Sequence, residues 1–109
     1  MVKLIIKNLK EVDEAARKQA ETLIQSKMEF YNELFKKYDK DLTLEVIFDH
    51  SSSVAKVSAS LDLKSKKVLL AEEDKEVLKA VTTLFNEFKK AVKRQYELER
   101  KDYEYKRKR

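Results

Sequence analysis

Not one glycine or proline occurs in this 109-residue chain. Glycine is the residue that enters left-handed backbone conformations without a steric cost, so every reversal here has to be made by Asn, Asp, Ser or Lys. Whole classes of function drop out with it. A phosphate-cradling loop, a dinucleotide fingerprint and a Gly-flanked nucleophile all require glycine at fixed offsets. Cysteine is absent as well, which rules out disulfides and thiolate metal sites and leaves the redox compartment open. With a single histidine a zinc site is not expected either. No cofactor is expected.

Apolar residues make up 42% of the chain and charged residues 41%, with five Phe and five Tyr. That much regularly spaced apolar surface supports one folded domain with a single core, not a self-repelling disordered polymer. The opening MVKLIIKNLK has a short apolar run broken by Lys3 and Lys7, too short for a membrane span and without a small-residue cleavage site. The cytosol is the default location, with no membrane and no small-molecule substrate among the expected partners.

Val2 to Lys7 alternates in the manner of a strand. From about Asp13 the spacing turns helical, with Ala16, Ala20, Leu23, Ile24, Met28, Tyr31, Leu34, Phe35 and Tyr38 at three- and four-residue steps. Asp13 or Asn8 can cap this helix, which is expected to end near Tyr38 before an Asp39-Lys40-Asp41 turn. Leu42 to Asp49 returns to period two. A turn at His50-Ser51-Ser52-Ser53 then leads to alternating Val57, Ala59, Leu61 and Leu63, and a Lys64-Ser65-Lys66 turn to Lys67–Ala71. A second helix is expected from near Asp74, with Glu72, Glu73 and Glu76 complementing its positive end.

The fold class this implies is α+β. Its order is β-α-β-β-β-α: a four-stranded mixed sheet, first two strands parallel, two helices on one face, an arrangement like that of double-stranded-RNA-binding domains. Residues 1–96 form the domain in this reading. Residues 97–109 form a basic helical extension or a flexible tail, in which Glu97 with Lys101 and Arg100 with Glu104 are four-apart pairs.

The net charge of +5 is segregated. Residues 1–78 hold 14 Lys/Arg against 15 Asp/Glu, and residues 79–109 hold 11 against 5. On the second helix Val81, Leu84, Phe85, Phe88 and Val92 fall within about 40 to 60° of one direction, while Lys79, Lys90 and Arg94 fall within about 40° of the opposite one. One helix is thus half core and half cation.

With these residues the chain resembles the ribosome hibernation promoting factor and ribosome-associated inhibitor family. Members carry an acidic strand end, an Asp-x-x-x-Ala-Ile-Asp-type helix start, then a leucine-spaced stripe with an Arg/Lys-rich stretch. The matching run is Ala71-Glu72-Glu73-Asp74, then Ala80-Val81-Thr82, Leu84, Phe88 and Val92, with Lys89, Lys90, Lys93 and Arg94. Asp13-Glu14-Ala15-Ala16-Arg17 stands where members have Thr-x-Ala-Leu-Arg. The chain departs at Thr82, at Ser53 and Lys56, in a longer first helix, and in lacking the usual glycines after strand one and between strands three and four. The resemblance implies a protein that binds the small ribosomal subunit where mRNA and tRNA would sit, silencing idle ribosomes. It also implies a short form, without the C-terminal domain that pairs ribosomes in long members.

The expected nucleic-acid contacts are Lys79, Lys89, Lys90, Lys93 and Arg94, which can neutralise phosphates. Lys64, Lys66 and Lys67 on the hairpin turn are auxiliary candidates. In the tail, Lys106 and Arg107, continuing into Lys108-Arg109, are candidates beside Tyr96, Tyr103 and Tyr105 as stacking rings. A lysine run on a helix can equally be a solvated face, and a basic tail a solubilising end. On that alternative the chain is a non-enzymatic interaction or dimerisation module. Asp49-His50-Ser51 has the residue types of a hydrolase triad, but as neighbours on one turn they cannot align, and a polar turn is expected. The acidic run Glu72 to Glu76 lacks the ligand spacing of a cation loop.

Overall fold

The computed structural model describes residues 2–51 and 53–107, with side chains for 2–50 and 53–101. Strand β1 (Val2–Lys7) is followed by a 3-10 turn (Leu9–Glu11) and helix α1 (Glu14–Leu34). Strands β2 (Leu42–Ser51), β3 (Val54–Asp62) and β4 (Lys67–Asp74) come next, and helix α2 (Val77–Arg107) closes the order. The sheet order is β1-β2-β3-β4. β1 runs parallel to β2 with Val2 opposite Leu42, and the other two pairings are antiparallel. This is the expected α+β arrangement of two helices and a mixed four-stranded sheet.

Period-two alternation sets the layers. Leu42, Leu44, Val46 and Phe48 of β2 and Val57, Ala59 and Leu61 of β3 are buried on one face, under Ile24 and Tyr31 from α1, Phe35 just beyond its end, and Val81, Leu84, Phe88 and Val92 from α2. The rings of Tyr31, Phe85 and Phe88 meet at 6.1 to 6.5 Å between centroids, the spacing at which edge-to-face contacts are favourable. The Tyr31 hydroxyl has no hydrogen-bond partner among the described residues. Burial raises its pKa far above the usual tyrosine value.

The glycine-free turns are made in two ways. Asn8, at φ 61° and ψ 31°, is the one positive-φ residue among those described. Asparagine is the non-glycine residue that tolerates this conformation best, and Asn8 holds it directly after β1. The β3–β4 hairpin instead avoids positive φ, closing with four residues between Asp62 and Lys67 and a Leu63 N–H to Lys66 O bond of 3.1 Å. Four-residue connections are commonly built on a type I turn, which needs no left-handed residue.

Four boundaries differ from expectation. Helix α1 ends at Leu34, not Tyr38, because Phe35 and Tyr38 leave the helix to pack around Tyr96, with centroids 4.9 and 5.5 Å from its ring. Their three-residue spacing mimics another helical turn. His50 and Ser51 belong to β2, where they pair with Ala55 and Val54, so they are strand and not turn. Strand alternation points His50 away from Asp49, which removes the triad geometry by another route. Glu72, Glu73 and Asp74 likewise extend β4, opposite Val57, Lys56 and Ala55. The start of α2 is therefore delayed to Val77; Asp74 Oδ1 accepts from the Glu76 N–H at 2.9 Å, and the Glu76 carbonyl accepts from Ala80.

Candidate nucleic-acid interface

Helix α2 positions most of the candidate cations because its apolar stripe is committed to the sheet. Val81, Leu84, Phe85, Phe88 and Val92 are all buried, whereas Lys79, Lys89, Lys90, Lys93 and Arg94 are all exposed. These five do not form a single cluster. Lys79 lies eleven residues before Lys90, about 16 Å along the axis.

Lys89 turns toward α1, its ammonium 4.8 Å from the Phe30 ring centroid, with Lys93 one turn further on. Lys90 and Arg94 face β4 instead, along a groove that also includes Leu70 and Ala91. Lys66, Lys67 and Arg94 line its continuation toward the hairpin. The structure thus joins two hairpin lysines to the helix cations on the β4 side and sets Lys89 and Lys93 apart on the α1 side.

Ion pairs hold some of these charges loosely. Lys79 meets Glu76 at 3.8 Å and Lys90 meets Glu87 at 3.9 Å, both between exposed side chains. Exposed pairs of this kind contribute about 0 to 1 kcal/mol and are readily exchanged for a phosphate. Lys89, Lys93, Arg94, Lys66 and Lys67 have no salt-bridge partner among the described residues. Lys64 is more constrained, pairing with Asp39 and lying 5.5 Å from the Tyr38 ring centroid. That contact holds the Asp39 carboxyl below the usual range. The backbone of Lys106 and Arg107 lies in α2, while their side chains, like those of Tyr103 and Tyr105, fall outside the described ones, as do Lys108 and Arg109 altogether.

A clasp that sequence reasoning missed fixes the hairpin against α2. The Tyr38 hydroxyl donates to Glu99 Oε1 at 2.7 Å and accepts from the Lys64 N–H at 2.9 Å. The other Glu99 oxygen accepts from the Ser65 N–H at 3.2 Å, and Gln95 Nε2 donates to Ser65 Oγ at 2.9 Å. Burial first, and then the bond to Glu99, push the Tyr38 phenol up to about 12. Its partners lie up to 61 residues apart, a separation that leaves no periodic signal to read.

At the opposite end of the sheet, the starts of α1 and α2 border an open cleft of about 960 Å³ that includes His50, Arg17 and Lys79. Arg17 is occupied there, its guanidinium donating to the carbonyls of Val12 and Lys10 at 2.9 Å each. The cleft's acidic residues Glu11, Asp13, Glu14, Asp49 and Glu76 outnumber its cations Lys10, Arg17, Lys75 and Lys79, whereas along the β4 groove Lys66, Lys67, Lys90 and Arg94 outnumber Glu72 and Glu87. No helix among the described residues is long and apolar enough to cross a membrane.

No family model and no curated protein sequence matches the chain. Its fold does match solved structures. The Thermus thermophilus Protein Y N-terminal domain superposes with a TM-score of 0.55 at 24% identity, over 84% of this chain and 93% of that one. A ribosomal subunit interface protein from Coxiella burnetii superposes with a TM-score of 0.58 at 14% identity, over 87% of this chain and 96% of that one. Both share the fold of this chain over most of its length.

Proposed function

We propose that the protein is a cytoplasmic, non-enzymatic ribosome-associated factor that silences translation. In this reading α2 lies on small-subunit rRNA and the body of the domain obstructs the channel for mRNA and tRNA. One observation carries the reading: a helix whose buried stripe fastens it to the sheet presents Lys89, Lys93 and Arg94 without salt-bridge partners among the described residues, on a fold shared with a ribosomal subunit interface protein. Phosphate neutralisation by such a face releases counterions and makes affinity fall steeply with salt. Lys66 and Lys67 extend the cationic surface at the hairpin. Lys106 and Arg107 would add contacts from the end of α2.

The test is co-sedimentation of purified protein with ribosomes and separated subunits. The protein is expected to travel with small subunits at low salt and to dissociate as salt rises. Replacing Lys90, Lys93 and Arg94 with Glu is expected to abolish co-sedimentation and relieve inhibition of in vitro translation. Melting should stay close to wild type, since exposed substitutions change stability by about 0.5 kcal/mol or less each. Phe88→Ala, from the opposite side of the same helix, should instead destabilise by about 3 to 5 kcal/mol through a cavity. A charge-reversed protein that binds ribosomes like wild type at physiological salt would refute the assignment of α2.

A further inference from the structure

The two edges of the sheet are treated differently. β1 is short, carries exposed Lys3 and Lys7, and has its first N–H capped by Asn32 Oδ1 at 2.9 Å. Lysines and side-chain caps of this kind are how proteins keep an edge from recruiting another strand. β4 carries its charges only at its two ends, whereas the exposed Ile5 of β1 is bracketed on its own face by Lys3 and Lys7. Its eight residues pair on one side only, with β3. Leu69, Leu70 and Ala71 occupy the middle, and Leu69 is 60% exposed. Leu98 of α2, 50% exposed, lines the same groove, so two of the three exposed large hydrophobic residues among those described lie beside this edge.

Charge along the edge is polar in one direction. Lys66 and Lys67 stand at its beginning and Glu72, Glu73 and Asp74 at its end. A parallel pairing with an identical strand would set lysine against lysine and glutamate against glutamate. An antiparallel pairing about a two-fold axis does the reverse.

The axis also selects a register. A two-fold axis perpendicular to the sheet keeps each residue on its own face, so paired positions differ by an even number. Centred on Leu70, seven residues pair. Lys67 then opposes Glu73 of the second copy, Leu69 opposes Ala71, Leu70 opposes itself, and Lys66 approaches Asp74. Centred on Ala71, Leu69 and Leu70 would oppose Glu73 and Glu72. Centred on Leu69, only five strand residues would pair.

We propose that β4 is a self-association edge, through which a second copy of this chain joins antiparallel about Leu70 to make a continuous eight-stranded sheet. The pairing is closed, since it consumes both copies' β4 edges and leaves only the guarded β1 edges outside. It stands independently of the ribosome reading. The two states share a surface, however, because Lys66, Lys67 and Arg94 border the groove that the second copy would cover.

Sedimentation equilibrium of the full chain over a wide concentration range tests the proposal. Wild type is expected to move from a monomer of 12.9 kDa to twice that mass as concentration rises. Leu69→Lys, a change at an exposed site, should weaken the dimer at least tenfold with an unchanged circular dichroism spectrum. The charge pairs test the register. Lys67→Glu and Glu73→Lys should each be monomeric alone, whereas a one-to-one mixture should recover the dimer mass, because each mixed pair again sets Lys against Glu. Wild type that stays monomeric throughout overturns the proposal. So does a dimer that survives Leu69→Lys, or single-variant proteins whose mixture recovers nothing. Wild type that dimerises as expected but fails to co-sediment with small subunits at low salt, at concentrations where it is monomeric, would count against the α2 reading alone.

Discussion

Asn8 shows how a chain without glycine solves a local problem with a single side chain. It sits at φ 61° between β1 and the 3-10 turn, where a β-branched residue would place Cβ against the following carbonyl at a cost of about 1 to 2 kcal/mol. Asn8→Val is therefore expected to lower the urea midpoint by about that much, and Asn8→Gly to leave it unchanged or raise it. Equal losses from both would show that the Asn8 side chain, and not its backbone conformation, holds the turn. The missing glycine was legible as a constraint, and Asn8 was legible only as one of several residues able to meet it. His50 was misread at this scale because Ser51, Ser52 and Ser53 look like a turn, whereas ladder partners in β3 keep His50 and Ser51 extended.

Among the elements, α2 was the most readable, since burial of one stripe and exposure of the other follow directly from 3.6-residue periodicity. Its candidate cations were read as one surface, yet Lys89 is drawn toward Phe30 and Arg94 toward β4. A helical wheel gives direction about an axis, not which neighbour occupies that direction. The clasp on Glu99 was invisible for the same reason, and it makes an alkaline prediction. Tyr38 titrates near 10 when unfolded and near 12 when folded. Between those values the unfolded chain sheds a proton that the folded chain keeps, so stability falls as pH rises through the window. Tyr31, raised by burial, acts in the same direction. Tyr38→Phe should cost about 0.5 to 1.5 kcal/mol near neutrality through lost hydrogen bonds, and its melting temperature should then decline less than wild type between pH 10 and 12. Parallel declines in the two proteins would place the alkaline sensitivity elsewhere, with Tyr31 the next residue to replace.

At the scale of the whole molecule, composition and periodicity were enough for the layer order, because alternation and stripes specify which faces must meet. Boundaries were harder, since the ladder opposite Glu72 to Asp74 and the ring cluster around Tyr96 are set by residues distant in sequence. The topology also has a temporal side. β2, β3 and β4 are neighbours joined by short reversals, but β1 pairs with a strand 40 residues later, Val2 with Leu42. Closing that long loop is entropically the slowest contact of the sheet, and during synthesis the apolar strand Val2–Lys7 emerges first and waits longest for its partner. Shortening side chains in β1, as in Ile6→Val, is therefore expected to accelerate unfolding while leaving the refolding rate nearly unchanged, and the same change in the meander, as in Val57→Ala, to slow refolding. Stopped-flow chevrons read both arms; a β1 variant that slows refolding would place the earliest strand of the chain in the folding nucleus instead of last in the queue.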